Sequence, residues 1–450
     1  MSHVLDHLRN ILFRSTVVLM ATQQTLLTQE IPFTRYELPN GLTVILHEDH
    51  RLPLVSANIW YYVGSKDEPP GRSGFAHLFE HLMFMGTNKV PYPQFDLTME
   101  TSGAWNNATT SEDRTTYFET GPRHLLDTFL FLESDRMASL GDSMTQEKLD
   151  AQRDVVRNER RQSYENRPYG KAYLEIPERL YPKGHPYHEP IIGSHEDLER
   201  ATVEDVKDFF RKFYFPRNAS LAIVGDFEPA AARELVARHF GPLPSLPPAP
   251  RKQDIPQPRL DGIVRVTLTD TVELPLSIFV WHSPPAYQGG DADLDVVATI
   301  LGGGKASRLY KALVYEKKLA QEVMVFQGSR YLGSEFHVAA YARPGVSQDE
   351  LEAEVDKEVA RVCAEGLELR EVERARNRID TSFWGRTQSL PEKADLLNAY
   401  QFHFGDPGAI GKDRARYERV TPESAKRWAK QILEPDSRLI LRVVPQKNES

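Results

Sequence analysis

Disulfides, nucleic-acid-binding runs and membrane spans are all missing from this 450-residue sequence. Its single cysteine, Cys363, excludes an internal disulfide. No run rich in lysine and arginine occurs, and the net charge of −9 argues against a nucleic-acid partner. No stretch is long and apolar enough to predict an integral membrane segment. The remaining composition, 40% hydrophobic and 26% charged residues, is typical of a soluble globular protein with two or three domains.

Residues 1–28 are predicted to form an N-terminal extension or a signal segment. Arg9 and Arg14 precede a short apolar run, residues 15–21. The apolar region of a secretory signal is usually longer, which favours a frayed or helical extension over a cleaved signal. This segment leaves the compartment, cytoplasm or periplasm, undecided.

The most informative pattern is a histidine pair, His77 and His81, with Glu80 between them. On a helix, residues four apart lie on one face about one turn apart, so both imidazoles can bind one zinc ion. Glu80 is on the same face, where its carboxylate can take a proton from water. This is the inverted order of the better-known zinc protease signature. Two ordinary histidines and a surface glutamate are the alternative. The helical context disfavours it, since Ser73 is predicted to cap the helix and Gly86 to follow its end.

Two halves with a similar order of strands and helices flank a proline-rich segment. Residues 29–240 are predicted to form a zinc-binding catalytic domain, and residues 261–450 a second domain. Between them, residues 241–260 are predicted to be a stiff linker, because seven prolines exclude a helix interior or a central strand. The predicted fold class is α+β: two tandem homologous α/β domains, each a mostly antiparallel sheet packed with helices.

An internal repeat supports the two homologous domains. Residues 199–207 align without a gap with residues 418–426, an offset of 219 residues, although a shared capping-box signature is only half kept. We therefore predict a duplication rather than convergence. The same offset carries the histidine helix onto Val296–Ile300, which has no metal ligands. Only the first half is predicted to bind metal.

Two histidines do not complete a catalytic zinc site, which typically has three protein ligands and one position for water. On chemical grounds, the third ligand is another histidine or a carboxylate. Because the ligand can come from any segment that folds back, spacing cannot choose among Glu100, Glu112, Asp113, Glu119, Glu159 and Glu165.

The sequence resembles the pitrilysin/insulinase family of zinc peptidases, specifically its mitochondrial-processing-peptidase-like members. The resemblance spans most of the chain and rests on residues 38–42, 64–87, 107–117, 154–159, 185–187 and 224–226. It implies an HxxEH site with one Zn²⁺ per chain, where Glu159 joins His77 and His81 as a ligand and Glu80 is the general base. It also implies that the two domains form one half of a clam shell around a chamber.

The resemblance also implies how substrate binds. An extended peptide is expected to add to a sheet edge near Asn107 and Ala108. An ordinary turn role for this asparagine is the alternative. One departure from the family is Gln152, seven residues before Glu159, where a second glutamate is common. A glutamine makes the surroundings of the metal less negative.

A second departure concerns an arginine and, seven residues later, a tyrosine in the C-terminal half of family members. That pair binds substrate and stabilises the oxyanion. Here Val314 and Gln321 occupy the two positions, and neither can do so. We therefore predict a heterodimer in which a paralogous chain supplies the pair. A homodimer, or a shifted alignment that uses Arg308 or Tyr310, is the alternative.

The predicted function is that of a zinc metalloendopeptidase that hydrolyses unfolded or short peptides in an enclosed chamber. Residues 261–450 are predicted to form a metal-free domain for the substrate chamber or dimerisation. A non-catalytic structural subunit of a larger complex is the alternative, although such relatives generally lose the zinc motif that is complete here. A hydrolase acting on something other than peptides is a third interpretation, and the resemblance disfavours it.

Overall fold

Two β-sheets packed with helices organise the chain, as the predicted α+β class requires. The computed structural model describes residues 31–252 and 255–446. The predicted extension or signal segment, residues 1–28, lies outside the described residues. Among the helices of this described part, none is long and apolar enough to cross a membrane.

The first sheet and its helices come from residues 34–240. Its strands are β1 (Thr34–Glu37), β2 (Thr43–Glu48), β3 (Leu54–Tyr61), β4 (Trp105–Thr110), β5 (Thr115–Pro122) and β6 (Ala219–Gly225). The helices are α1 (Phe75–Leu82), α2 (Gln94–Thr101), α3 (Leu126–Ser139), α4 (Gln146–Arg160), α5 (Gly170–Leu180), α6 (His195–Glu199), α7 (Val203–Phe213) and α8 (Pro229–Phe240). Short 3₁₀ turns span Ser65–Asp67, Arg123–Leu125 and Pro216–Asn218, and a π-helical turn spans Arg161–Glu165.

The second sheet and its helices come from residues 263–445. Its strands are β7 (Ile263–Asp270), β8 (Leu276–Ser283), β9 (Ala320–Gly328), β10 (Ser334–Ala342) and β11 (Arg438–Pro445). The helices are α9 (Asp291–Gly302), α10 (Gln348–Glu365), α11 (Leu369–Arg386), α12 (Leu390–Phe404), α13 (Ile410–Glu418) and α14 (Pro422–Ile432). A second π-helical turn spans Tyr310–Glu316.

The two sheets share one topology. The strand orders are β1-β2-β6-β3-β5-β4 and β7-β11-β8-β10-β9. From β2 and from β7 onward, each order has one parallel pair followed by three antiparallel pairs. Both sheets are therefore mostly antiparallel, as predicted.

The helices keep the predicted repeat as well. The bounds of α7 and α14 differ by 219 residues at both ends. Each of these helices starts with a complete capping box, Thr202 with Asp205 in α7 and Thr421 with Ser424 in α14. A serine hydroxyl thus does the work of the aspartate carboxylate, and the half-kept sequence signature is a fully kept structural one.

The two halves exchange one helix each. Helix α5 packs against β7 and β11 of the second sheet, and α12 packs against β3 and β6 of the first. The alternation of strand side chains explains why both faces need cover, since Leu221 and Ile223 of β6 lie in the main core of the first half. The residues between and after them, Ala222 and Val224, instead contact Leu397 of α12.

Replacing Leu397 with Ala should lower the free energy of unfolding by about 3 kcal/mol, because it opens a cavity against the first sheet. Leu397 is 1% exposed. Leu369→Ala is the matched control, since Leu369 at the start of α11 is 61% exposed. Urea denaturation measures both variants. Equal midpoints for the two would show that α12 does not stabilise the first sheet.

The described residues between Phe240 and Ile263 contain no helix or strand, in keeping with their prolines. This segment is fixed to both halves. The Arg251 guanidinium lies 4.9 Å from the centre of the Tyr62 ring in the first half. The Gln257 amide donates to the Ser283 carbonyl oxygen in the second half, at 2.6 Å.

Candidate metal centre

Helix α1 has one apolar face and one polar face, because residues three and four apart share a side of a helix. Phe75, Leu78, Phe79 and Leu82 are at most 1% exposed and pack into the first core. The opposite face carries His77, Glu80 and His81, which are only partly buried. The core-facing side chains thus hold the polar triplet toward the cleft.

The prediction that Ser73 caps this helix is wrong. The N-cap residue is Gly74, at a φ of +85° in the left-handed region that favours glycine. The Ser73 hydroxyl instead donates to an oxygen of Asp197, at 2.7 Å. The Glu68 carboxylate satisfies the helix start, because it accepts from the backbone N–H of Gly74 at 3.1 Å and of Ala76 at 2.8 Å.

The structure brings His77, His81 and Glu159 together. The Glu159 Oε2 atom lies 3.7 Å from Nε2 of His77 and 3.3 Å from Nε2 of His81. One ligand atom from each residue lies within 4.8 Å of the others, and no other such group of three occurs in residues 31–252 and 255–446. Two imidazole nitrogens and one carboxylate oxygen are the donor set of a catalytic zinc site with a position left for water.

The charge states of these donors also suit a metal. Burial, together with the neighbouring His81, lowers the pKa of His77 to about 4, so its imidazole is neutral near pH 7. The hydrogen bond with His81 is the main cause that lowers the pKa of Glu159, which is therefore a carboxylate. Neutral imidazole and ionised carboxylate are the forms that metals bind.

Glu159 reaches the histidines because α4 packs against α1. It is the penultimate residue of α4, directly before the π-helical turn Arg161–Glu165. Four other carboxylates left open by spacing are held elsewhere: Glu112 by Arg330, Asp113 by Tyr187, Glu119 by Arg136 and Glu165 by Arg160. Glu100 is exposed on α2.

Glu80 lies beside the three donors with a fixed partner. The Thr110 hydroxyl, at the end of β4, donates to Oε2 of Glu80 at 2.5 Å. Burial raises the pKa of Glu80, and this hydrogen bond acts in the opposite direction. Sequence reasoning missed Thr110, although it lies in the same matched segment as Asn107.

Asn107 and Ala108 lie on β4, which is an edge strand. Ala108 is buried and Asn107 is exposed. The Asn107 side-chain oxygen accepts from the backbone N–H of Ala108 at 2.8 Å. Within the described residues, β4 pairs only with β5, so its outer edge can accept another strand.

The other positions singled out by sequence lie outside this cluster. The Gln152 amide donates to the Met85 sulfur at 2.9 Å and makes no hydrogen bond to the three donors in the described part of the chain. Val314 is 7% exposed and packs in the second core, whereas Gln321 is exposed. Arg308 is held by Glu371 at 2.6 Å, so it is not free to replace the missing arginine.

The second half has no equivalent cluster among its described residues. Helix α9 occupies the place of α1, and its Val296 and Ile300 correspond to the two histidines. Both are fully buried. Arg378 corresponds to Glu159 and donates to the Gly303 carbonyl oxygen at 3.0 Å. Apolar side chains and a cation cannot hold a metal ion.

A duplicated two-sheet fold with one His₂Glu cluster defines a class of metallopeptidase-like chains, and comparisons with known proteins identify the family. Residues 43–182 match the model described as Insulinase (Peptidase family M16). Residues 200–379 match the model described as Peptidase M16 inactive domain. A Helicobacter pylori protein named zinc protease PqqE is 30% identical over 370 residues, which cover 81% of this chain and 82% of that protein. The chain belongs to the insulinase family, peptidase family M16.

Solved structures agree with this assignment. A protease from Helicobacter pylori superposes with a TM-score of 0.86 at 26% identity and covers 92% of this chain and 100% of its own. The periplasmic protease PqqL from Escherichia coli shares the fold, with a TM-score of 0.74 at 17% identity. The match covers 92% of this chain but only 48% of PqqL, so PqqL has about twice its length.

Proposed function

We propose that this chain is the metal-bearing half of a zinc metalloendopeptidase of the HxxEH type. The observation that carries the proposal is the convergence of His77, His81 and Glu159 with Glu80 beside them. The family membership and the name of the Helicobacter pylori relative support peptide hydrolysis with zinc. One Zn²⁺ per chain follows from the single cluster in the described residues.

The three donors would hold the ion, and Glu80 would move the proton. A bound zinc ion polarises the scissile carbonyl and makes a water molecule more acidic. Glu80 takes the proton of the attacking water on its carboxylate and returns it to the leaving amine. The partial burial of Glu80 excludes much of the competing solvent and suits a carboxylate that must hold a proton transiently.

The substrate is proposed to bind as an added strand. The outer edge of β4 offers its backbone N–H and C=O groups to an extended peptide, and the same strand ends at Thr110 beside Glu80. Asn107 and Ala108 would lie along the bound peptide. Only an unfolded or short peptide can present such an extended segment, which favours these as substrates.

A paralogous partner is proposed to complete the site. Val314 is buried and apolar, and Gln321 is neutral, so neither can stabilise an oxyanion. The length of PqqL, in which this fold accounts for about half of the chain, supports a chamber made from two such halves. Residues 29–240 would then be the catalytic domain, and residues 261–450 would form the chamber wall and the dimer contact.

The proposed function is tested by cleavage of a quenched fluorescent peptide library by the zinc-loaded chain, with and without its candidate paralogue. We expect hydrolysis in the mixture, a loss of at least about 100-fold on chelation, and recovery when zinc is restored. Full activity from the chain alone would disprove the partner requirement. A mixture that binds zinc but cleaves no peptide would favour the structural subunit instead.

A further inference from the structure

The hydrogen bond between Thr110 and Glu80 joins two segments that are separate in the sequence. The Thr110 hydroxyl donates to Oε2 of Glu80 at 2.5 Å. In the described residues, the Oε1 atom of the same carboxylate has no hydrogen-bond donor. The two oxygens of the carboxylate are therefore not equivalent: one is occupied and the other is available.

The backbone around Thr110 is held firmly. Thr110 pairs with Thr115 across β4 and β5, at the last position before the turn. Within that turn, the Ser111 N–H donates to the Arg114 carbonyl oxygen at 2.9 Å. The Ser111 hydroxyl accepts from the N–H groups of Asp113 and Arg114, at 3.1 and 3.2 Å. A hydroxyl at the end of a tightly closed hairpin has little freedom to move.

We propose that Thr110 is a positioning residue for the general base, an inference that rests on the proposed function. Its hydroxyl fixes the side-chain rotamer of Glu80 through Oε2 and leaves Oε1 to receive the proton. A carboxylate without this bond can turn about its side-chain torsions, so its free oxygen is less often aligned with the attacking water. The bond should therefore affect the chemical step rather than substrate or zinc binding.

The test compares Thr110→Val with Thr110→Ser in the zinc-loaded complex. Valine keeps the branched shape suited to a strand but has no hydroxyl, whereas serine keeps the hydroxyl. We expect Thr110→Val to lower kcat about 10- to 100-fold, with KM, zinc stoichiometry and Tm unchanged. Thr110→Ser should restore kcat to within about threefold of wild type.

Thr101→Val is the matched control, because Thr101 is exposed on α2 and its hydroxyl donates only to the Leu97 carbonyl oxygen of its own helix. It should leave kcat unchanged. A crystal structure gives a readout that is independent of activity: the Glu80 carboxylate should occupy one rotamer in wild type and more than one in Thr110→Val.

The outcomes separate this inference from the proposed function. If wild type cleaves peptides and Thr110→Val does so with the same kcat, Thr110 has no positioning role. If both Thr110 variants lose activity equally, or if zinc content falls with kcat in Thr110→Val, the effect is structural and the inference is also wrong. If the wild-type complex binds zinc but cleaves no peptide, the proposed function fails, and the positioning role fails with it.

Discussion

Glu80→Gln should reduce kcat for peptide hydrolysis by about 100- to 10,000-fold and leave zinc bound. An amide has nearly the size of a carboxylate, and its oxygen can still accept the hydrogen bond from Thr110. It cannot take up a proton near neutral pH, so the water would lose its general base. The three donor side chains, His77, His81 and Glu159, are not changed by this substitution.

Steady-state kinetics on the complex, together with zinc analysis of the purified variant, measures this result. Glu147→Gln is a suitable control, because Glu147 is an exposed glutamate in the first turn of α4. It should retain full activity. Activity of Glu80→Gln near that of wild type, with zinc bound, would show that Glu80 is not the base.

Arg136→Met should destabilise the protein by about 4 kcal/mol, because it leaves two buried carboxylates without their cation. The Arg136 side chain is 3% exposed, and the side chains of Glu119 and Glu133 are 1% and 0% exposed. The guanidinium donates to Glu133 through Nε at 2.9 Å and to Glu119 at 3.2 Å. It also lies 4.4 Å from the centre of the Tyr117 ring.

Chemical denaturation of Arg136→Met against wild type measures this loss. Arg211→Met is the matched control, since Arg211 also pairs with two carboxylates, Glu204 and Asp208, but on the exposed surface of α7. It should leave the midpoint unchanged, because solvent screens exposed ion pairs. Adding Glu119→Gln and Glu133→Gln to Arg136→Met should recover most of the loss. Equal midpoints for Arg136→Met and Arg211→Met would contradict the argument.

Local patterns in the sequence were enough to predict several features. The spacing of His77 and His81 places them on one face of a helix whatever the rest of the chain does. The repeat with an offset of 219 residues predicts two domains of one topology, and the two sheets have it. Short-range periodicity and turn chemistry depend on neighbouring residues, which the sequence states directly.

Predictions that depend on distant residues were less secure. Ser73 has the side chain of an N-cap, but Asp197, 124 residues away, accepts its hydroxyl hydrogen bond. Thr110 and Glu80 are 30 residues apart, and only the packing of β4 against α1 shows that they meet. A sequence gives no distance between such segments, so these contacts could not be predicted from spacing.

By itself, then, the sequence determined the histidine helix, the duplication and the proline-rich linker, because each is a pattern of neighbouring or regularly repeated residues. Only the tertiary structure decided which carboxylate lies beside the histidines, which hydroxyl holds Glu80, and which helix covers which sheet. The physical reason is that burial and side-chain contacts are set where distant segments fold together. Helices α5 and α12 illustrate this, since each covers the sheet of the other half.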